Sequence, residues 1–320
     1  MLTRRTALML ATLGLAFAIA PAVTKADEAP AKLTLVLDWF VNPDHAPILV
    51  AEAQGYFKEA GLAVEIIAPA DPNDPPKLVA AGKADLAITY QPQLHIQVAA
   101  GLPLVRIGTL VATPLNTLLA LEDGSVKSIA DLKGRRIGYS VGGFEDALLG
   151  AMLERHGLSL NDVTLINVNF SLSPALLSGQ VDAVIGAFRN FELNQLAIEG
   201  HKGRAFYVEE HGVPAYDELI FVAKRDGFDA ARLRKFLDAV ERGVQFLVNH
   251  PDEAYTLAAA ANPDLKDELN QRAWRDTVAR FAHRPAALDR ARYERFARFL
   301  ATRGLIKVAL PADAYAVELP

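Results

Sequence analysis

The chain has no cysteine among its 320 residues. That excludes disulfides, thiolate metal centres and a cysteine nucleophile. Histidine is scarce as well: the 7 histidines stand singly, with no His-x-x-x-His pair of the kind a zinc site uses. Phosphate-loop and complete dinucleotide fingerprints are missing, and Gly142-Gly143 alone is too short a signal to stand in for one. Neither a metal nor a cofactor is therefore expected. With 33 basic side chains against 38 acidic ones, nucleic acid is not expected as a partner.

Long apolar runs are lacking everywhere except at the N-terminus. Arg4 and Arg5 precede the run from Ala7 to Ala20, which is too short to span a bilayer comfortably and is followed by Ala20-Pro21-Ala22 and Thr24-Lys25-Ala26. Residues 1–26 read as a cleaved secretory signal. The order Thr3-Arg4-Arg5-Thr6 also resembles a twin-arginine signal, although Ala7 stands where an aromatic is preferred. A buried helix would need an amphipathic pattern, and no acidic residue occurs before Asp27. Removing Arg4, Arg5 and Lys25 from the 33 basic residues leaves 30 against 38 acidic ones, a formal net charge of −8. With no cysteine to acylate near the cleavage point, the exported chain is expected free in the periplasm rather than lipid-anchored.

Short apolar runs then alternate with helical patterns, the signature of an α/β fold with largely parallel strands. One unit occurs twice: Asp74-Pro75-Pro76 opens a helix that ends at Gly82 before the run Ala84 to Tyr90, and Ser173-Pro174 opens one that ends at Gly179 before Val181 to Ala187. The repeat predicts two similar lobes facing a cleft, with convergent capping as the alternative. Crossings near 117–121 and 217–223 would form a double hinge, giving lobe 1 as residues 32–118 and 222–320 and lobe 2 as 119–221. From Asp229 onward the pattern is helical, broken at Pro251, Pro263 and Pro285, and these helices are expected on lobe 1.

The strand Leu33 to Leu37 breaks into Asp38-Trp39-Phe40-Val41-Asn42-Pro43-Asp44-His45, two aromatics with carboxylates, an amide and an imidazole just ahead of a helix. That is a pocket rim suited to a planar polar ligand. Trp39 could stack on a ring or fill the core; Asp38 and His45 could bond ring nitrogens or merely end the strand and start the helix; Asn42 could bind or turn the chain. Tyr90 and Gln91 end a strand where a cleft wall or a hinge would lie. Across the cleft, Gly142, Phe144 and Glu145 begin a helix with free backbone N–H groups, and Asn190 and Glu192 follow the second repeated strand; both glutamates could equally be solvated helix-start acids. Tyr216 sits at the second crossing, as a ligand cover or as hinge packing. Arg189 would recognise an anion.

Leu37-Asp38-Trp39-Phe40, Asn42, His45, Gly55-Tyr56-Phe57, Gly61-Leu62, Gly82-Lys83-Ala84-Asp85, Asp131-Leu132-Lys133-Gly134 and Gly179-Gln180-Val181-Asp182 resemble the periplasmic substrate-binding proteins for thiamine pyrimidine precursors, over roughly residues 33–225. That family also contains the fungal hydroxymethylpyrimidine synthase. The resemblance implies a type II periplasmic-binding-protein fold and a monomer that binds an aminopyrimidine without chemistry and delivers it to the permease of an ABC importer. Binders of riboflavin, a sulfonate or another heterocycle, and a pyrimidine-synthesising enzyme on the same fold, are the alternatives. The synthase uses a cysteine-rich segment that this chain lacks. The chain also departs from the family in carrying Ala46-Pro47 after His45, where Thr-Gly is expected of close pyrimidine binders.

Overall fold

The computed structural model describes residues 29–320, so the signal sequence expected at 1–26 lies outside the described residues. The strands are β1 (Ala31–Val36), β2 (Leu62–Ile67), β3 (Leu86–Thr89), β4 (Leu104–Val111), β5 (Asn116–Leu121), β6 (Arg136–Tyr139), β7 (Thr164–Asn167), β8 (Ala183–Phe188), β9 (Gly203–Tyr207) and β10 (Leu219–Lys224). They form two five-stranded sheets, ordered β2-β1-β3-β10-β4 and β7-β6-β8-β5-β9. In each sheet three parallel strands are followed by one antiparallel strand that arrives from the other crossing: β10 lies antiparallel between β3 and β4, and β5 antiparallel between β8 and β9. The two sheets thus share one topology, a two-lobed α/β fold.

The repeated helix-strand units occupy the same place in each sheet. Helix α3 (Pro75–Ala80) precedes β3, and α6 (Leu172–Leu177) precedes β8. The second helix starts earlier than the Ser173-Pro174 cap suggested: Ser171 holds the cap position and Ser173 lies inside the first turn, buried. The first crossing also comes earlier than 117–121, because those residues pair as β5 with β8 and β9, and the passage is Ala112 to Leu115.

Both faces of the first sheet are covered, as parallel strands require. Leu33, Leu35 and Leu37 pack with Ile48, Val50 and Phe236 on one side, whereas Val36 and Ala87 pack with Val79, Leu94 and Tyr293 on the other. Helices α1 (Ala46–Ala53) and α2 (Tyr56–Glu59) are clamped by the long α8 (Ala230–Asn249). Gly243 permits that contact, since a Cβ there would run into the Pro47 carbonyl. After α9 (Pro251–Ala261), helix α10 (Glu268–Thr277) touches both the Pro43–His45 turn of the first lobe and α7 (Glu192–Ile198) of the second, so the C-terminal helices do not serve the first lobe alone. Helix α11 (Arg290–Thr302) then returns to α4 (Gln91–Ala99), and the C-terminal segment covers the β4 edge through an Arg106 N–H to Tyr315 carbonyl bond of 2.7 Å. Among the described residues no helix is long and apolar enough to cross a membrane.

Candidate functional site

The segment after β1 is shaped by its own hydrogen bonds. Asn42 caps the turn Pro43–His45: its side-chain oxygen accepts from the Asp44 N–H at 2.8 Å, and its backbone N–H donates to His45 Nδ1 at 3.3 Å. With Nδ1 accepting, the imidazole carries its proton on Nε2, which donates to Asp38 at 2.9 Å. The Tyr90 hydroxyl donates to the other Asp38 oxygen, also at 2.9 Å. Asp38 is therefore fixed from both sides, and what remains free on it is acceptor capacity. Pro47 takes the second position of α1, where its missing N–H has no partner to lose.

These residues face elements of the second lobe. Asp38, Trp39, Asn42, Asp44 and Tyr90 from the first lobe, with Glu145, Leu172, Gly186, Phe188, Phe191 and Glu192 from the second, line one cleft. Glu145 opens α5 (Glu145–Glu154) and accepts the Ser140 N–H at 2.8 Å. Glu192 opens α7 and accepts the Phe188 N–H at 2.6 Å. Gly186, at φ +99°, leaves room for the Glu145 carboxyl, which any side chain there would strike.

The cleft is acidic, and among the described residues no lysine, arginine or histidine lines it. Burial pushes the carboxyl groups of Glu145 and Glu192 each up to about 8, against backbone N–H bonds that pull them down, and raises Asp44 to about 6. At neutral pH both glutamates are therefore mainly protonated. A neutral carboxyl offers a donor O–H beside an acceptor C=O. Trp39 supplies the apolar face, held edge-on by Phe170 at 4.5 Å between ring centres.

The remaining expected residues stand outside the cleft lining. His45 lies behind Asp38, fully buried, and orients it. Phe144 stacks on Tyr90 at 4.7 Å. Asn190 lies one layer back, donating to Asp44 and to Thr277 at 2.6 Å each. Gln91 and Tyr216 belong to the crossings: the Gln91 side chain accepts the Asp217 N–H at 2.8 Å, and the Tyr216 hydroxyl donates to Glu218 at 3.0 Å, which in turn accepts from the Leu115 and Asn116 N–H groups. Gly142 sits at the lip, its N–H donating to Asn73. Arg189 is engaged elsewhere, bidentate to Glu209 at 2.7 and 2.9 Å and stacked over Tyr207. Asp44, Gly186, Phe188, Phe191 and Leu172 are lining residues that the sequence reading left out.

One further motif was open to misreading. Gly138-Tyr139-Ser140-Val141-Gly142 has the Gly-x-Ser-x-Gly spacing of a nucleophile elbow between a strand and a helix. Ser140 is fully buried and its hydroxyl donates to the Asn169 carbonyl, with no histidine bonded to it. It lacks the base that would activate it.

The two lobes have the periplasmic-binding-protein fold. The alkanesulfonate-binding protein SsuA from Xanthomonas axonopodis pv. citri, bound to MOPS, matches with a TM-score of 0.71 over 91% of this chain and 100% of its own, at 18% identity. The chain belongs to the NMT1/THI5-like family, whose model matches residues 42–254. A Haemophilus influenzae protein named for thiamine biosynthesis is 54% identical over 91% of this chain and 93% of its own length. The formylaminopyrimidine-binding protein of Halalkalibacterium halodurans is 36% identical over 71% of this chain and 70% of its own. More distant relatives are named as 4-amino-5-hydroxymethyl-2-methylpyrimidine phosphate synthases.

Proposed function

We propose that the protein is the periplasmic solute-binding component of an ABC importer and takes an aminopyrimidine precursor of thiamine into the interlobe cleft, releasing it unchanged to the permease. The observation that carries this reading is a cleft walled by Trp39 and four carboxyl groups with no cation among them. An anion such as a sulfonate or phosphate would meet only acids there. An aminopyrimidine presents a flat apolar face for Trp39 and an N=C–NH₂ edge, acceptor beside donor. That edge complements the protonated Glu145 or Glu192 carboxyl, while the fixed Asp38 accepts from a remaining amino hydrogen.

The ligand-binding set is thus Asp38, Trp39, Asn42, Asp44, Glu145 and Glu192, with His45, Tyr90, Phe144 and Asn190 as positioning residues. Closure follows from contacts made to both lobes at once, since only such contacts give the ligand a higher affinity for the closed state.

Titration calorimetry with 4-amino-5-hydroxymethyl-2-methylpyrimidine, its formylaminopyrimidine relative and an alkanesulfonate tests the reading. Micromolar or tighter binding, about −8 kcal/mol or better, is expected for a pyrimidine and none for the sulfonate. Binding of the sulfonate alone would overturn the assignment. Mass spectrometry of ligand and protein after incubation separates binder from enzyme, because a binder leaves both masses unaltered.

A further inference from the structure

Beside the cleft runs a second groove that shares its wall of Trp39, Leu172, Phe191 and Glu192. Phe40 and Phe170 form one flank, and the turn Asp264 to Asn270 ahead of and into α10 forms the other. Among the described residues no lysine, arginine or histidine lines this groove. Two of its lining groups are buried yet unsatisfied: the Ser173 hydroxyl and the Asn270 side-chain oxygen have no hydrogen-bond partner among the described residues, at 1% and 7% residue exposure. The Asn270 amide nitrogen is already spent, donating to the Asp264 carbonyl at 3.1 Å and to Asp267 at 2.9 Å, so the orphaned atom is an acceptor. A buried acceptor without a donor is unfavourable until one arrives.

We propose that this groove is a second subsite, holding an amine-bearing cationic arm carried by the ring that occupies the cleft; the proposal rests on the aminopyrimidine reading above. The wall common to the two spaces makes them adjacent, so one molecule can occupy both. The arm's ammonium would donate to Asn270 and Ser173, lie against the rings of Phe40 and Phe170, and be balanced by the exposed Asp264. A phosphorylated or carboxylated arm would find no cation to balance it and be rejected. The groove thereby adds a selection at the 5-position of the ring that the cleft by itself does not make.

Calorimetry on 4-aminopyrimidines that differ only in the 5-substituent tests this, using hydroxymethyl, aminomethyl, aminopropyl and phosphooxymethyl compounds. The better of the two amines is expected to bind at least tenfold tighter than the hydroxymethyl compound, and the phosphate at least tenfold weaker. In Ser173→Ala and Asn270→Leu the amine-to-hydroxymethyl ratio should fall toward one, and in Asn270→Asp it should rise, with circular dichroism reporting that each variant is folded. Equal affinities for amine and hydroxymethyl compounds, or a ratio unmoved in all three variants, would overturn the second subsite while leaving the pyrimidine cleft standing. Failure of every aminopyrimidine to bind would remove both.

Discussion

Asn73 bridges the two lobes through Gly142. The Asn73 side-chain oxygen accepts the Gly142 N–H at 3.0 Å, and its amide nitrogen donates to the neighbouring Ser140 carbonyl at 3.2 Å. Asp71 holds the asparagine in place, accepting from its backbone N–H at 2.8 Å and its side chain at 2.9 Å. One loop of the first lobe therefore fastens the strand end of the second, at the mouth of the cleft and away from its lining. In Asn73→Ala two ordinary hydrogen bonds are lost, each worth about 0.5–1.5 kcal/mol. Ligand dissociation should then accelerate by about tenfold, with little change in association. Stopped-flow tryptophan fluorescence measures both rates, and an unaltered dissociation rate would show that the bridge does not hold the closed state.

Trp39 faces the cleft with its ring and rests on the second lobe's apolar cluster. Replacement by alanine removes a stacking surface whose value for a flat base is about 1–3 kcal/mol. Affinity for the pyrimidine should fall tenfold or more. Calorimetry on Trp39→Ala checks this, and an unchanged dissociation constant would take Trp39 out of the site.

Gly186→Ala should damage stability and binding together. The position has φ +99°, and the added methyl would press on the Glu145 carboxyl. Strain of this kind costs about 1–3 kcal/mol. Gly212, at φ +96° with only the Arg155 side chain and a distant carbonyl nearby, is the matched control. Both alanine variants should melt lower than the parent, but only Gly186→Ala should also lose ligand affinity. Equal affinities in the two variants would separate Gly186 from the site.

The ligand-free protein should lose stability as the pH rises from about 5 to 8. Glu145 and Glu192 are raised by burial from 4.5 to about 8, Glu218 to about 7 and Asp44 from 3.8 to about 6. A carboxyl raised in the folded state makes its contribution in full below its unfolded value, and that contribution disappears as the pH climbs through the folded value. All four groups act in the same direction, and His95, lowered by burial from 6.5 to about 3, opposes them below about pH 6.5 as one group against four. Differential scanning calorimetry should show the melting temperature declining through this window, and Glu192→Gln should flatten the decline. A melting temperature that rises between pH 5 and 8 would contradict the buried, protonated state of the glutamates.

The lobed α/β fold was legible because alternation of strand and helix, glycine-ended helices and a repeated unit are local signals, and the two units do fall at matching places in the sheets. The rim was legible for the same reason: Asp38 to His45 makes its bonds within itself. Gln91 and Tyr216 were harder, since Asp217 and Glu218 lie more than a hundred residues from Gln91 and from Leu115, and no local pattern announces such pairing. Gly186 left a trace that went unused, a glycine in the middle of an apolar strand, where the β5–β8 register slips and a neighbour approaches closely. Asp44 sat in full view within the rim, but its burial comes from Asn190 and Thr277 on remote elements.

The position of β10 has a consequence for how the chain is made. The first sheet cannot close until residues 219–224 insert between β3 and β4, and by then the whole second sheet has left the ribosome. Until that insertion, β3 and β4 present facing open edges, the surfaces most ready to pair with a stranger. The first sheet is therefore completed only after every strand of the second is in hand. A chain truncated before Leu219 would leave the first lobe without its fourth strand and the cleft with only one finished wall.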